Sequence, residues 1–313
     1  MCYYFLEVLF KEVLQHMDKN ISFYKLNLIL STVIFGSIGI FRRYIPISSG
    51  LLAMLRGIVG AIFIFIIVKI KGKKIDTKSI KNNLLLLITS GALIGFNWIL
   101  LFESYRYTDV STATLCYYMA PIFVIFLSPI FLKEKLSLTK ILCIFVALIG
   151  MFFISNITTN IGFKSKDFKG MIFGLGAALL YAIVIMLNQK FKKIEAFDKT
   201  IVQLGAAGLV LIPYSFIFKN NLTFSLNYIS ICLIIIVCII HTGVAYYLYF
   251  NSMKKLSSDT VAFYSYIDPI VALVLSSLIL KETMSINEII GAILILGATF
   301  ISEIKPKKFK DKK

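Results

Sequence analysis

The chain has 313 residues, 58% of them hydrophobic, and a mean hydropathy of +0.86. A water-soluble protein of this length could not bury so much apolar surface and keep a wettable exterior, so the composition predicts an all-α integral membrane protein. The formal net charge of +17 lies in the breaks between apolar runs and at the C-terminus, which is typical of lysines beside a membrane and argues against nucleic-acid binding.

Residues 1–20 precede the first long apolar run. Glu7, Glu12 and Asp18 interrupt this segment, and no small-residue cleavage site follows it, so it does not have the pattern of a signal peptide. We treat 1–20 as an N-terminal extension. It is either a short amphipathic helix at the membrane surface or a segment of little consequence.

Ten apolar runs follow, each long enough to cross a bilayer as a helix. Lys, Asn, Ser or Pro residues bound most of them. A basic tail, 305–313, ends the chain. In chain order the predicted transmembrane helices are 22–41, 48–69, 84–105, 111–132, 138–156, 169–190, 197–218, 228–252, 258–280 and 286–304.

The basic residues are unevenly distributed between alternate breaks. If the N-terminus is cytoplasmic, 24 of the 33 lysines and arginines fall inside and 8 outside, while Arg56 lies within a helix. The positive-inside rule therefore predicts that both termini are cytoplasmic. The composition is rich in Lys and Ile, as in bacteria with AT-rich genomes, so we expect a multi-pass protein of a bacterial cytoplasmic membrane.

The chain matches itself at an offset of 148 residues. Matched Gly, Pro, Tyr and charged residues carry more weight than aliphatic ones, which match by chance. The offset pairs Gly57 with Gly205, Gly60 with Gly208, Gly95 with Gly243, Tyr118 with Tyr266, Pro121 with Pro269, Lys133 with Lys281, and Glu134 with Glu282. We therefore predict two five-helix repeats, 21–156 and 168–304. Since five is odd, the second repeat is inverted relative to the first, as in alternating-access transporters.

One segment of each repeat carries the most specific pattern, a helix with a proline near its middle followed by a Glu-containing turn. These segments, 112–137 (TATLCYYMAPIFVIFLSPIFLKEKLS) and 260–285 (TVAFYSYIDPIVALVLSSLILKETMS), resemble the two halves of an EamA-type transporter of the drug/metabolite transporter superfamily. Arg56 is similar to the arginine in the second helix of that family. The second repeat has Leu204 at the equivalent position. The resemblance covers about residues 25–304.

The resemblance implies a central cavity between the repeats and export or exchange of amino acids or related small metabolites without ATP. The chain has no GxxxxGK[ST] phosphate loop, in agreement with that expectation. Organic cations and nucleotide sugars are alternative substrates. A lipid-handling membrane protein or membrane enzyme is disfavoured, because the two histidines, His16 and His241, lie far apart and no paired-carboxylate motif is present.

Ionisable side chains within apolar helices are expensive and need an explanation. Arg56 is a candidate for binding a substrate carboxylate; a helix contact or snorkelling to the surface are the alternatives. Asp268, which precedes Pro269, is the candidate for proton coupling, with a buried acid that locks the bend as the alternative. His241 is a substrate-binding candidate that would titrate near neutral pH if hydrated, or else a helix-to-helix hydrogen bonder. Glu103 lies near a membrane surface and is a weaker candidate.

Amide and aromatic side chains form a second set of substrate-binding candidates, because a ring with a polar tip suits amphiphilic solutes. Core packing is the alternative for any one of them. The set is Asn97, Trp98, Tyr117, Tyr118, Tyr181, Asn188, Tyr246, Tyr247, Tyr264 and Tyr266.

Backbone features supply further expectations. Pro121 and Pro269 are hinge candidates, because each removes a helical hydrogen bond at an equivalent place. Glu134 and Glu282 are expected to act locally, by accepting hydrogen bonds from the N-terminus of the following helix. Two motifs predict close helix packing, Gly91-x-x-x-Gly95 and Gly170-x-x-x-Gly174, and the last helices of the repeats carry Gly150, Gly291 and Gly297.

The expected partners are a small-molecule substrate, the lipid bilayer and protons. Monomer and homodimer are both compatible with the sequence. The five cysteines form no CxxC pair, so we expect no metal site, and we expect no cofactor and no catalytic residue.

Overall fold

The computed structural model describes residues 19–131, 133, 136–154, 166–217, 227–253 and 255–303. Every regular element in these ranges is helical, which confirms the all-helical prediction. Residues 1–18 of the predicted extension, Glu134 and the tail 305–313 lie outside the described residues.

The helices are named in chain order. A π-helical turn, Ile239–Val244, joins α10 to α11. The helices are α1 (Lys19–Tyr44), α2 (Ser49–Ile70), α3 (Thr77–Asn82), α4 (Leu84–Tyr107), α5 (Val110–Tyr117), α6 (Ala120–Phe131), α7 (Leu138–Ile154), α8 (Lys166–Asn188), α9 (Ala196–Ile217), α10 (Tyr228–Cys238), α11 (Ala245–Met253), α12 (Ser258–Ser265), α13 (Ile267–Ile279) and α14 (Ile286–Glu303).

Seven helical segments of the described residues are long and apolar enough to cross a bilayer. They are Ile21–Tyr44, Ser49–Ile70, Leu84–Tyr107, Val110–Phe131, Lys166–Asn188, Ala196–Ile217 and Tyr228–Met253. Three shorter apolar helices accompany them: Leu138–Ile154, Phe263–Ile279 and Ile286–Ser302. Many large apolar side chains on these helices face outward, as lipid contact requires. The protein is therefore a multi-pass membrane protein.

The fourth and ninth predicted helices are each broken near the middle. α5 ends at Tyr117 before α6 begins, and α12 ends at Ser265 before α13 begins. Pro121 and Pro269 lie directly after these breaks, because a proline cannot donate the hydrogen bond that would continue the helix from the preceding turn. The prolines thus coincide with interruptions of the backbone, whereas hinge motion at them stays a prediction.

Helix contacts separate most of the bundle into two groups. In the first, the α4 group, α8 packs against α4, α5 and α6. In the second, the α11 group, α1 packs against α10, α11, α12 and α13. Two further pairs connect these groups: α2 packs against α9, and α7 packs against α14. Each group therefore combines helices from both halves of the chain.

Glycines allow the connecting pairs to approach closely. A Cβ built on Gly57 would lie 2.5 Å from the backbone nitrogen of Gly208, and one on Gly150 would lie 2.9 Å from the carbonyl of Gly291. These distances leave no room for a side chain, so the α2–α9 and α7–α14 crossings require glycine. Gly297, by contrast, faces open space.

The two GxxxG motifs are confirmed as close-packing sites. A Cβ on Gly91 would lie 2.5 Å from the carbonyl of Gln203 on α9. A Cβ on Gly170 would lie 2.7 Å from the side chain of Thr108. Small residues therefore bring α4 to α9 and α8 to the start of α5.

The two ends of the bundle differ in charge. One end carries Arg43, Arg106 and Glu282, and we call it the arginine end; the opposite, lysine end carries the exposed lysines beside α3 and between α8 and α9. At the lysine end, the Asn83 side-chain amide donates to the Lys192 carbonyl at 2.8 Å and accepts from the Lys192 backbone N–H at 2.9 Å. Hydropathy does not signal α3, because this short helix is polar and does not cross the membrane.

Candidate functional site

Arg56 lies in the middle of α2 and is 3% exposed. Its Nε donates to Thr242 Oγ1 at 2.9 Å, and its guanidinium carbon lies 4.1 Å from the centre of the Trp98 ring. Thr242 Oγ1 lies 3.1 Å from the Val237 carbonyl and donates its proton there, so an oxygen lone pair faces Arg56. These contacts hold the guanidinium in place by one edge and one face.

The charge of Arg56 has no counter-ion in the described part of the chain. The ion pairs found there involve Arg43 and Arg106. Cation–π contacts with Trp98 and with Phe102, whose ring centre lies 5.3 Å away, offset part of the cost of desolvation. The Nη groups of Arg56 donate to none of the described residues, so they stay available to an anionic group of a ligand.

Asp268 lies in the first turn of α13, directly before Pro269. Its carboxyl faces the hydroxyl of Tyr118, which comes from the opposite group of helices. That hydroxyl also lies 3.5 Å from the carbonyl of Ser265, the acceptor that Pro269 leaves free. No basic side chain of the described residues lies within 4.0 Å of the Asp268 carboxyl.

Tyrosines lie between Arg56 and Asp268. Tyr105 and Tyr117 are within electrostatic range of both charges. The ring of Tyr117 lies 5.6 Å from that of Tyr181, on α8. Both charges therefore face the same tyrosine cluster at the centre of the bundle.

Tyrosines of the cluster come from both groups of helices. Tyr181, from the α4 group, is 38% exposed although it lies within electrostatic range of Tyr246 and Asp268, which belong to the α11 group. Tyr246 packs against Phe35 on α1, with 5.2 Å between ring centres. The partial exposure of Tyr181 agrees with the central cavity that the family resemblance implies, and that cavity stays a prediction.

At the centre of the bundle the structure brings together most of the charged and aromatic candidates. They are Arg56, Trp98, Tyr117, Tyr118, Tyr181, Tyr246 and Asp268. Their convergence from six different helices does not follow from their spacing in the chain. That these residues bind substrate stays a prediction.

Three polar candidates make contacts between helices. The Asn97 amide donates to the Ala177 carbonyl at 2.6 Å, and His241 Nε2 lies 2.9 Å from Ser37 Oγ. Asn188 Oδ1 accepts from Gln203 Nε2 at 3.0 Å. These bonds agree with the structural alternative considered for His241, and a role in binding stays a prediction for all three.

The remaining candidates have contacts with residues outside the Arg56–Asp268 cluster. Tyr247 accepts a hydrogen bond from Lys71 at the lysine end. Tyr264 packs against Phe263 at 5.6 Å and Tyr266 against Phe300 at 5.4 Å. Glu103 pairs with Arg106 at 3.0 Å at the arginine end, as expected for an acid near a membrane surface.

Sequence reasoning missed Thr242, Tyr105 and Tyr249. Thr242 lies in the π-helical turn, which no sequence pattern signalled, although a hydroxyl beside His241 in an apolar helix was a usable clue. Tyr105 is 4% exposed and close to both charges. Tyr249, one turn after Tyr246 on α11, packs 6.1 Å from Phe35.

The expectation that Glu282 acts on the following helix is wrong. Its carboxylate accepts from the Val110 N–H at 2.9 Å and from Arg43 Nη2 at 2.9 Å. The following helix, α14, is capped instead by Ser285 and Glu288, each of which accepts a hydrogen bond from the other's N–H.

The backbone explains the direction that Glu282 takes. Lys281 has a φ of 57°, a left-handed conformation that ends α13 and reverses the chain. The Glu282 side chain is thereby turned towards α13, where Ser276 Oγ donates to it. Lys133, the equivalent of Lys281, has the same φ of 57°. Glu134 lies outside the described residues.

Comparison with known proteins finds relatives that cover almost all of the bundle. The model of the EamA-like transporter family matches residues 23–156 and again residues 168–303, which confirms the resemblance drawn from the sequence. "Uncharacterized transporter YxxF" of Bacillus subtilis (strain 168) is 27% identical over 280 residues, or 90% of this chain and 89% of that protein. "Uncharacterized inner membrane transporter YicL" of Salmonella typhimurium is 22% identical and covers 90% of this chain and 96% of its own.

A solved structure described as "Crystal structure of protein" has the same fold. It superposes with a TM-score of 0.63 over 90% of this chain and 96% of that chain, at 14% sequence identity.

Proposed function

This chain belongs to the EamA-like transporter family of membrane transporters, and from that premise we propose that it exports or exchanges amino acids or related small metabolites across a bacterial cytoplasmic membrane by alternating access. The observation that carries the substrate class is that Arg56 and Asp268, groups of opposite charge, lie near the same tyrosines without ion-pair partners among the described residues.

A zwitterion compensates both charges at once. The free Nη groups of Arg56 can bind an α-carboxylate through two parallel hydrogen bonds, and Asp268 can accept from an α-ammonium group. Tyrosine rings with hydroxyl tips suit the rest of an amphiphilic solute. An organic cation would leave Arg56 uncompensated, and an anionic nucleotide sugar would leave Asp268 uncompensated, so the two opposite charges support a zwitterion such as an amino acid.

Two inverted five-helix repeats, 21–156 and 168–304, are the proposed architecture. Helices 148 residues apart pack on each other, as α2 does on α9 and α7 on α14. The contact of α4 with α8 is mirrored by the contact of α10 and α11 with α1. A two-fold axis in the membrane plane would generate these pairings, and they support one central site that either membrane side can reach in turn.

The proposed orientation places the lysine end and both termini in the cytoplasm, following the positive-inside rule. We expect Lys193→Cys to react with an impermeant maleimide only in inside-out vesicles, and Lys166→Cys only in right-side-out vesicles. Both side chains are exposed, so they form a matched pair. Labelling of both variants from one side would contradict the inverted topology.

Proton coupling through Asp268 is the second part of the proposal. In liposomes that exchange a labelled amino-acid mixture, we expect Asp268→Asn to abolish the acceleration by a pH gradient, because an amide cannot carry the proton. Asp167→Asn is the matched control, since Asp167 is exposed at the start of α8, away from the cavity.

Each outcome separates the alternatives. Gradient-independent exchange by the unmodified protein, unchanged in Asp268→Asn, would indicate a facilitator in which Asp268 only locks the helix break. Exchange of organic cations but not of amino acids would favour the alternative substrate. No exchange of any amino acid, from protein shown to be folded, would exclude the proposed substrate class.

A further inference from the structure

A largely buried carboxylate joins the two groups of helices at the arginine end. The side chain of Glu282 is 9% exposed, and it accepts from Arg43 Nη2 and from the Val110 N–H, each at 2.9 Å. Arg43 Nη2 also donates to the Thr108 carbonyl at 2.8 Å. We call these four residues, Arg43, Thr108, Val110 and Glu282, the arginine-end clasp.

The clasp crosses from one group to the other. Arg43 is on α1 and Glu282 follows α13, both in the α11 group, whereas Thr108 and Val110 lie where α4 ends and α5 begins, in the α4 group. Gly39 of α1 also meets the α4 group here, since a Cβ on it would lie 2.5 Å from a Val110 methyl group. Separating the two groups at this end requires the bonds from the Val110 N–H to Glu282 and from Arg43 to the Thr108 carbonyl to break, whereas the Arg43–Glu282 pair lies within one group.

The N-terminus of α5 depends on Glu282 because it has no cap of its own. Asp109 occupies the N-cap position, yet its side chain makes no capping hydrogen bond. The first N–H groups of a helix need acceptors and favour negative charge. The carboxylate that meets this need at Val110 comes from 172 residues away.

The lysine end lacks the equivalent connection in the described residues. Ser257, which the 148-residue offset pairs with Asp109, caps α12 locally by accepting from the Thr260 N–H at 3.3 Å. At the arginine end α5 packs against α13, whereas α6 has no comparable packing against α12 in the part of the chain that the structure describes. Among the described residues, which do not include Glu134, the counterpart of Glu282, the two groups are therefore joined more closely at the arginine end than at the lysine end.

We infer that Glu282 is the gate residue of the arginine end: it holds α5 against α1 and α13 in this conformation, and it must release the Val110 N–H before the cavity can open there. The inference rests on the proposed alternating access, but it concerns distances within the protein and can be tested without any substrate.

Asp109 provides a matched control for Glu282. It is also near Arg43, at 3.7 Å, but its side chain is 52% exposed. Burial and the neighbouring Glu282 carboxylate raise the pKa of Asp109 above its ordinary value, so the folded protein disfavours its charged form. Replacing Asp109 with asparagine therefore removes little that holds the two groups together.

The test is a pair of spin-label distances in full-length protein in nanodiscs, with the native cysteines replaced by alanine. Labels at Lys166→Cys and Thr283→Cys span the arginine end, and labels at Lys190→Cys and Lys255→Cys span the lysine end. All four side chains are exposed. Each pair has one label attached to the α4 group and one to the α11 group.

In Glu282→Ala we expect the ratio of long to short distances at the arginine end to rise about tenfold or more, with a matching shortening at the lysine end. Glu282→Gln keeps an oxygen for the Val110 N–H but loses the charge, so it should shift the ratio less. Arg43→Gln should shift it in the same direction.

Two results would overturn the inference. One is an arginine-end distance distribution identical to that of the unmodified protein in Glu282→Ala, Glu282→Gln and Arg43→Gln. The other is an equal shift in Asp109→Asn, which would assign the effect to surface charge. If Glu282→Ala elutes as an aggregate, the test relies on Glu282→Gln, whose side chain has the same shape as glutamate. Neither result bears on the proposed substrate class.

Discussion

Replacing Arg56 with methionine is expected to weaken amino-acid binding about 10- to 100-fold while leaving the folded protein at least as stable as before. Binding weakens because the substrate carboxylate loses a charged, two-pronged partner. Stability is retained because methionine removes a buried cation that has no counter-ion among the described residues. A purely structural arginine would behave in the opposite way on both measurements.

The chain contains a built-in probe for this experiment. Trp98 is its single tryptophan, and the Arg56 guanidinium lies 4.1 Å from the centre of its ring. We expect amino acids to change the tryptophan emission of the unmodified protein, and Arg56→Met to require a higher concentration for the same change. The melting temperature, measured on the same samples, reports stability.

A second variant, Arg56→Lys, and a comparison of an amino acid with its decarboxylated amine test the binding role of Arg56 further. Arg56→Lys keeps the charge but loses the planar fork and the Nε donor to Thr242, so we expect an intermediate loss of affinity. An amine made by decarboxylating the amino acid should bind the unmodified protein poorly, and Arg56→Met should not weaken it further. Equal affinity of Arg56→Met and the unmodified protein for amino acids would refute the binding role.

Replacing Gly57 with alanine is expected to destabilise the bundle by about 1–3 kcal/mol or more. The new Cβ would lie 2.5 Å and 2.7 Å from the nitrogen and Cα of Gly208, and 2.8 Å from the Leu204 carbonyl. All three atoms are backbone, so no side chain can rotate away. α2 and α9 must separate, and the neighbouring Arg56 should then lose its contact with Thr242.

Gly297→Ala is the matched control for this substitution. A Cβ at Gly297 has no neighbour within 4 Å, and alanine is favoured over glycine within a helix by about 1 kcal/mol. We expect Gly297→Ala to keep or slightly raise the melting temperature in fluorescence-detected size-exclusion measurements, and Gly57→Ala to lower it. Equal melting temperatures for the two variants would contradict the backbone clash at the α2–α9 crossing.

Much of the fold was predictable because the bilayer constrains each segment of the chain separately. Without water in the hydrocarbon region, backbone groups must bond within a helix, so each apolar run predicts a helix by itself. The breaks before Pro121 and Pro269 agree with the proline's missing N–H, but proline alone does not decide a break, since Pro129 and Pro213 lie inside continuous helices. The residues of the repeated segments were enough to identify the family.

The candidate site was predictable only as a set of residue types. Arg56 and Asp268 stood out because charges are rare and costly inside apolar helices. The residues that hold them did not stand out: Thr242 is 186 residues from Arg56, and Tyr118 is on the opposite group of helices from Asp268. A π-helical turn presents Thr242 to Arg56, and nothing in the hydropathy pattern indicates that turn.

The sequence by itself determined where the apolar helices form and which buried charges need a partner, because these follow from the chemistry of each segment in a membrane. Only the tertiary structure decided which partner each group has. Glu282 shows the difference: a carboxylate after a helix end can cap the next helix, but the left-handed Lys281 turned it towards Val110 and Arg43. Partner choice depends on how helices far apart in the chain pack, and no local pattern encodes that packing.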